Sequence, residues 1–564
     1  MSRAPFPTFP PEYRRRFVEA GLWLDRTLQS FFDESAQRMP DHVAIVAGER
    51  RSSFADWADE ARRVAAGLVR LGIRKGDIVT VQLPNWPELC VLQIALARIG
   101  AVIQPMHMVY REREMESMLR FCDSRAMIVA GSYQGFEHAA AVAGMRARLP
   151  ELAQVITVGS GVAGGDATYD SLLGSDDGLD AYLSSAAIGA DDVFYLNFTS
   201  GTEGAPKGFL HTHNTLVSVM KRFADMTTQA NPASRDDVIL ANSPMSHSFG
   251  HLATYQVLLR GVRMVLVERF SPTEILKIIE RERVTALSGT PAHLISLLSH
   301  PDLPRTDIRS VKSVGVGGAQ CPPEVMKDIQ RVFGVKSGNM YGMGENIVHT
   351  QVAASDPPEL IRDTVGKPVP GAELRIFAAD RSTERPTGEV GEIAYRGPSL
   401  FLAYYKNPER TAETRNADGW FFTGDLGFVD ERGYLHLAGR QKEMINRGGT
   451  KIFPKEIEDL LHEHPKILRA AVIGMPDARL GERVCACVEL KPGETLTLDE
   501  VKSFLAGKQV MKHNVPERLE VLAALPQTPT GKVQKEPLVR AVGDKLAAES
   551  AAGAGAAPGA GGSA

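Results

Sequence analysis

A chain of 564 residues is too long for one hydrophobic core, so two or more domains are expected. Lys and Arg number 64 against 68 Asp and Glu, a balance that offers no electrostatic field for nucleic acid or a membrane surface. The five cysteines lack zinc-ligand spacing, no apolar run follows the N-terminal charges, and none reaches membrane-spanning length, so a reduced, cytoplasmic protein without signal peptide or membrane span is expected.

Residues 1–30 read as an irregular arm with a short basic helix. Phe54, Trp57, Ala61, Val64, Leu68 and Leu71 recur at helical spacing, and Gly72 marks the end. Residues 78–83 read as a strand, and Asn85 is placed to cap a helix over 86–99 that stops at Gly100. Strand and helix keep alternating through 126–130, 238–240 and 264–267, which argues for α/β layers with largely parallel sheets. Residues 159–190, rich in Gly, Ser, Ala and Asp, read as a surface excursion. From about Gly371 short strands broken by Gly and Pro suggest a β subdomain. Beyond Gly439-Arg440-Gln441-Lys442, strands over 470–474, 484–490 and 519–522 and a helix over 498–505 suggest a compact α+β domain. Cys485 and Cys487 alternate along one strand and share a face. The expected organisation is a large α/β domain over 1–439, a small α+β domain over 440–546 and a disordered Ala/Gly-rich tail over 547–564.

The chemistry centres on Thr199-Ser200-Gly201-Thr202-Glu203-Gly204-Ala205-Pro206-Lys207-Gly208, which follows a buried strand over 193–198. Glycines let successive N–H groups converge, and hydroxyls and a lysine add donors, which suits a phosphate. The Walker spacing is absent, because Gly208 follows Lys207. Other motifs follow in order: Pro244-Met245-Ser246-His247-Ser248-Phe249-Gly250, Val316-Gly317-Gly318-Ala319, Asn339-Met340-Tyr341-Gly342-Met343-Gly344-Glu345, Gly388-Glu389-Val390-Gly391-Glu392 with Arg396-Gly397-Pro398, Trp420-Phe421-Phe422-Thr423-Gly424-Asp425, Gly439 to Gly449, and Pro529-Thr530-Gly531-Lys532-Val533-Gln534-Lys535. Together, over roughly residues 30 to 542, they resemble the AMP-forming acyl-adenylate synthetases: acyl-CoA ligases, peptide-synthetase adenylation domains and luciferases.

That resemblance implies a large N-terminal domain, a small mobile C-terminal domain and a two-step reaction using ATP, Mg²⁺ and coenzyme A. A carboxylic acid attacks the α-phosphate, and a thiol then displaces AMP. Thr199, Ser200, Gly201, Thr202, Gly204 and Lys207 would hold phosphates, with Glu345 and Thr202 at the magnesium. Tyr341 would stack on adenine beside Gly317, Gly318, Ala319, Gly342 and Gly344. Asp425 would accept the ribose hydroxyls, and Arg440 would contact ribose or phosphate. Lys532 would bridge the carboxylate and the α-phosphate. Lys442 matches the hinge, and Gly448 and Gly449 the loop that faces the thiol tunnel. The acyl pocket would involve His247, Ser248, Phe249, Gly318, Met343 and Val348, although Phe249 and Met343 suit core packing equally.

Two positions depart from the commonest pattern: Gly344 stands where many members carry Thr, and Glu203 where many carry a second Thr. Tyr341 to Val348, the N-terminal arm and Ile445-Asn446-Arg447 look most like the aryl-acid branch that adenylates 2,3-dihydroxybenzoate. There an Asn follows the pocket histidine and reads the ring's ortho hydroxyl; here Ser248 does, a shorter polar group that implies a roomier pocket and a larger or differently substituted ring. Alicyclic and medium-chain acyl-CoA ligases share much of the same pattern. The acceptor is CoA or, as the runner-up, the phosphopantetheine of a separate carrier protein. A homodimer is compatible with the resemblance. A luciferase-type oxygenase would share only the first half-reaction. A non-catalytic binding protein would be expected to lack Lys532, Glu345 or Asp425, and all three are present.

Overall fold

The computed structural model describes residues 5–159, 164–199, 207–230, 236–319, 321–335, 338–353, 355–528 and 531–555. Two large sheets carry most of the chain up to residue 368. The first is seven-stranded among the described residues, ordered Ala167–Thr168, Gln154–Val158, Ala126–Ala130, Ile78–Gln82, Val102–Pro105, Val193–Thr199 and Lys207–Thr212. All its neighbours are parallel except the last pair, which is antiparallel. The second is nine-stranded among the described residues, with the parallel strands Ser313–Val316, Ala286–Gly289, Val238–Ala241, Arg263–Leu266 and Val43–Ala47 at its centre. Ile78–Gln82 and Ala126–Ala130 are buried at every position, as strands covered by helices on both faces must be.

The helix Phe54–Arg70 begins at Ser53, whose side chain and that of Asp56 close a capping box. The next helix, Pro87–Ile99, is buried almost all round and ends at Gly100, at φ +72°. Asn85 does not cap it. Trp86 takes the cap position and Pro87 opens the first turn, which needs no N–H there. Asn85 instead clamps the two sheets together. Its Nδ2 donates to the carbonyls of Ala241, Ser243 and Val267 at 3.3, 2.9 and 3.0 Å, and its Oδ1 accepts from Met245 N–H at 2.8 Å.

The expected surface excursion is a packed cover where it is described. Helices Tyr169–Leu172 and Leu179–Ala186 bury Tyr169, Leu172 and Leu179, and Tyr169 Oη donates to Glu60 at 2.8 Å. A Cβ on Gly67 would come within 2.7 Å of the Leu172 backbone, so the cover sits directly on the helix Phe54–Arg70.

The four strands Glu373–Phe377, Gly391–Arg396, Phe421–Val429 and Leu435–Arg440 form an antiparallel sheet. Past a 3₁₀ turn at Gln441–Glu443 lies a separate sheet built on Ile467–Asp477 and Gly481–Leu490, with its own buried cluster around Ile457, Leu461, Val472 and Val501. Cys485 and Cys487 share its other face, in a cluster with Leu525, Leu538 and Val542. The tail differs from expectation: the helix Lys535–Gly555 continues past residue 546. Alanine favours helix, and Arg518 anchors the extension by pairing with Glu549 at 2.7 Å. Residues 556–564 lie outside the described residues. No helix among the described residues is long and apolar enough to cross a membrane.

Candidate functional site

The motif residues gather at the carboxyl ends of parallel strands, where ligands of open α/β sheets bind. Val193–Thr199 delivers the phosphate-loop motif and Lys207–Thr212 carries the chain back, with Thr199 opposite Lys207. Ser200, Gly201, Thr202, Glu203 and Gly204 lie outside the described residues. Val238–Ala241 leads to His247, Ser248 and Phe249, Ser313–Val316 to Gly317, Gly318 and Ala319, and Gly338–Tyr341 to the segment from Gly342 to Val348.

That last segment is tightly fixed. A Cβ on Gly342 would lie 2.0 Å from the Ile347 carbonyl oxygen, and Ile347 itself sits at φ +61°. A β-branched residue held in the left-handed region marks local strain, here stabilised by burial of its side chain in the main core. Gly344 explains its own departure from the common pattern, because a Cβ there would meet Cε1 and Cζ of Phe209 at 2.5 Å. The space a Thr side chain would need is filled by a fully buried phenyl ring. His211 Nε2 lies 2.8 Å from the Gly344 carbonyl.

Glu345 follows and is buried at 4% exposure. Tyr404 Oη donates to its Oε1 at 2.9 Å, and its backbone carbonyl accepts from Phe401 N–H at 2.6 Å. Oε2 has no hydrogen-bond partner among the described residues. Burial raises the carboxyl pKa, with Tyr404 and the Lys207 charge opposing. A buried carboxylate with one oxygen unsatisfied fits a cation that takes its remaining ligands from phosphate oxygens and water. Among the described residues no cluster of three or more His, Cys, Asp or Glu side chains that could hold a metal ion exists.

At the edge of the four-stranded sheet, Tyr341 Oη donates to Asp425 Oδ2 at 2.7 Å, while Arg440 Nε approaches Asp425 Oδ1 at 3.3 Å. Asp425 and Arg440 are direct partners on adjacent strands. The Tyr341 ring packs against His349 and among Val365, Ile376, Ile393 and Leu435. Lys532 is partly buried and reaches this group from the far side. Burial lowers its pKa most and Arg440 adds to that, while Asp425 and Glu443 oppose, leaving it at about 8. Gly531, next to Lys532, sits against the N-terminal end of the helix Pro291–Leu298, since a Cβ there would lie 2.9 Å from Oγ1 of its cap, Thr290. His247 also feels the Lys532 charge. His247 is held down to about 4, first by burial, then by His107 and Lys532, so it is neutral near pH 7.

His247 Nδ1 caps the helix Ser248–Arg260 by accepting from Phe249 N–H at 3.3 Å. The Phe249 ring lies against Gly317, where a Cβ would come within 3.0 Å of it. Gly318 is at φ +80°, a conformation that glycine adopts without strain. Met343 and Val348 are partly buried against the main core. Ser248 Oγ lies 3.2 Å from Tyr195 Oη, and His107, which stacks on His247, bonds Ser246 Oγ at 2.8 Å. Tyr404, Phe209, His211, Tyr195 and His107 were not singled out by sequence reasoning, because no motif marks them.

Gly448 and Gly449, at φ +58° and +91°, form the exposed two-residue turn between Ile445–Arg447 and Thr450–Ile452. Lys442 lies in the 3₁₀ turn, and its neighbour Glu443 is tied to Lys535, which also pairs with Glu458, at 3.0 and 2.7 Å.

The AMP-binding enzyme family matches residues 32–405, and the AMP-binding enzyme C-terminal domain matches residues 456–532. The chain is 33% identical over 535 residues to a medium-chain fatty-acid–CoA ligase of Escherichia coli, covering 94% of this chain and 92% of that one. It is 33% identical over 552 residues to the 2-hydroxy-7-methoxy-5-methyl-1-naphthoate–CoA ligase of Streptomyces carzinostaticus, covering 96% and 97%. To the 2,3-dihydroxybenzoate-AMP ligase of Bacillus subtilis it is 31% identical over 546 residues, covering 96% and 98%. ATP-bound MatB from Rhodopseudomonas palustris superposes with a TM-score of 0.80 at 28% identity, over 92% of this chain and 100% of that one. The chain belongs to the AMP-binding enzyme family, and within it to the AMP-forming acid–thiol ligases.

Proposed function

We propose that the protein activates an aromatic, or related alicyclic or medium-chain, carboxylic acid as its acyl-AMP and transfers the acyl group to CoA. The observation that carries this reading is the convergence of Lys532 with Asp425, Arg440 and His247, residues that belong to separate motifs. The loop from Thr199 to Gly204, with Lys207, holds the β- and γ-phosphates of ATP. Asp425, one oxygen already oriented by Tyr341, accepts the ribose hydroxyls. The acid lies beside His247, Ser248 and Gly318. One carboxylate oxygen attacks the α-phosphorus, the bond to the β-phosphate bridging oxygen breaks, and pyrophosphate leaves. Negative charge accumulates on the α-phosphate oxygens in that transition state, and the Lys532 ammonium stabilises it more than the ground state. Glu345 Oε2 would hold Mg²⁺, which when bound neutralises phosphate charge.

In the second step the CoA thiol attacks the acyl carbon and AMP leaves with the former carboxylate oxygen. Lys532 and the Gly448-Gly449 turn both lie beyond Lys442, and the two steps need them at the reacting group in turn. The unit after Lys442 therefore rotates between steps. The relatives act on aromatic and fatty acids, which supports the acid class without selecting one acid. The test is pyrophosphate release over a panel of aryl, alicyclic and medium-chain acids, with and without CoA. Acid-dependent release with acyl-CoA formation is expected. Release with no CoA thioester would redirect the acyl group to a carrier-protein phosphopantetheine, and acid-independent release would contradict the reading.

A further inference from the structure

The acid end of the cleft contains a hydrogen-bond chain whose direction is fixed from its buried end. Asn197, on the strand Val193–Thr199, is 4% exposed. Its Oδ1 accepts from Phe198 N–H at 2.8 Å, which identifies the other terminus as the amide nitrogen. That Nδ2 donates to the Ser246 carbonyl at 3.2 Å and to Tyr195 Oη at 2.6 Å. The phenol oxygen is thus an acceptor toward Asn197, and its own hydrogen must go elsewhere. Burial pushes the Tyr195 pKa up to about 12, so the phenol keeps that hydrogen. Among the described residues the acceptor in reach is Ser248 Oγ at 3.2 Å.

Ser248 therefore receives a hydrogen bond from below, and its own hydroxyl hydrogen is left to place. Serines within helices often donate to the carbonyl of the preceding turn. Ser248 is the first residue of its helix, so no preceding turn exists. It is partly exposed and flanked by His247, which senses Lys532, and by Phe249, which lies against Gly317.

We propose that Ser248 donates its hydroxyl hydrogen to the bound acid, and that the preferred acids carry an acceptor oxygen (keto, alkoxy or hydroxyl) at the point that meets it. The inference rests on the acid-activating reading above and deepens it. Asn197 and Tyr195 act as positioning residues: they polarise the serine without touching the substrate. A hydroxyl group alone accepts as readily as it donates, and the chain behind it removes that choice. An acid offering only an N–H at this point meets a donor facing a donor.

The experiment compares matched acids by acid-dependent pyrophosphate release. The pairs are methoxy against ethyl at each position of a benzoate ring, and keto against methylene along a medium-chain alkanoate. The unmodified protein should favour the acceptor-bearing partner by about tenfold in kcat/KM at one position, the scale of one hydrogen bond in a desolvated site. Ser248→Ala should bring that ratio to about one, and Ser248→Thr, which keeps the hydroxyl, should retain it. Tyr195→Phe frees Ser248 Oγ to accept, so pyrrole-type N–H acids should gain relative to the same acids N-methylated. Thermal melting of each variant separates loss of preference from loss of fold, and the ratio within one variant is independent of how much of it is active. A preference that survives Ser248→Ala, or acid-dependent release with no acceptor preference at any position, overturns this proposal alone. Release that ignores the acid altogether overturns the underlying reading and this proposal with it.

Discussion

The pH dependence of acid activation should turn on Lys532. Burial and the Arg440 guanidinium hold its ammonium group at about 8, against the pull of Asp425 and Glu443. Only the charged form stabilises the charge that gathers at phosphorus. Bound ATP adds negative charge and keeps the proton on to higher pH, so the free-enzyme value shows in kcat/KM rather than in kcat. For a group centred near 8, the charged fraction falls from about nine-tenths at pH 7 to about one-tenth at pH 9. The kcat/KM for ATP in acid-dependent pyrophosphate release should therefore fall about tenfold across that interval. His247, already neutral, adds no limb there. Lys532→Ala should abolish the limb and slow adenylation by about 10²–10³-fold, while sparing thioester formation from supplied acyl-adenylate. A flat parent profile from pH 7 to 9, the same limb in Lys532→Ala, or equal loss in both half-reactions would refute the assignment.

Tyr404→Phe removes the 2.9 Å donor to Glu345 and leaves a buried carboxylate with neither oxygen paired. Losing that donor should raise the Glu345 pKa further, moving the acid-side loss of activity to higher pH, and Mn²⁺ binding followed by paramagnetic resonance should weaken about tenfold. Unchanged Mn²⁺ affinity would remove Tyr404 from the site. Gly344→Thr drives a Cβ into Phe209 and should destabilise by about 1–3 kcal/mol, and in a double-mutant cycle by thermal melting Phe209→Leu should recover part of that loss. Strictly additive effects would mean the two positions do not share the space. Lys442 sits in a 3₁₀ turn, a class of backbone whose typical φ proline can adopt, so Lys442→Pro should keep the orientation seen here and block the other. Single-turnover pyrophosphate release should persist while acyl-CoA formation collapses; a folded variant making acyl-CoA at the parent rate would place the pivot elsewhere.

Legibility in the sequence followed the range of the interactions. The helix at Phe54–Arg70 and the parallel strands are set by local periodicity, and they were readable. The motifs that carry the family resemblance stood out because their chemistry is concentrated in short runs. What was hidden joins residues far apart in the chain. Phe209 and Gly344 fill one space, Tyr404 serves Glu345 and Tyr195 serves Ser248, yet nothing in any of these runs announces its partner. Asn85 shows the same limit: its place before a helix suggests a cap, and only the arrival of the Ala241, Ser243 and Val267 carbonyls turns it into a clamp between sheets. The tail was misread because alanine and glycine in one run point both ways. Arg518, through Glu549, tips the balance toward helix.

The central claim is that a carboxylate oxygen attacks the α-phosphorus of ATP and stays with AMP when the thiol displaces it. The direct measurement uses an accepted acid labelled with ¹⁸O in both carboxylate oxygens, together with ATP and CoA, and reads the products by mass spectrometry. The account predicts one ¹⁸O in AMP, one in the acyl-CoA carbonyl and none in pyrophosphate. Unlabelled AMP, or ADP with label in inorganic phosphate, would contradict it.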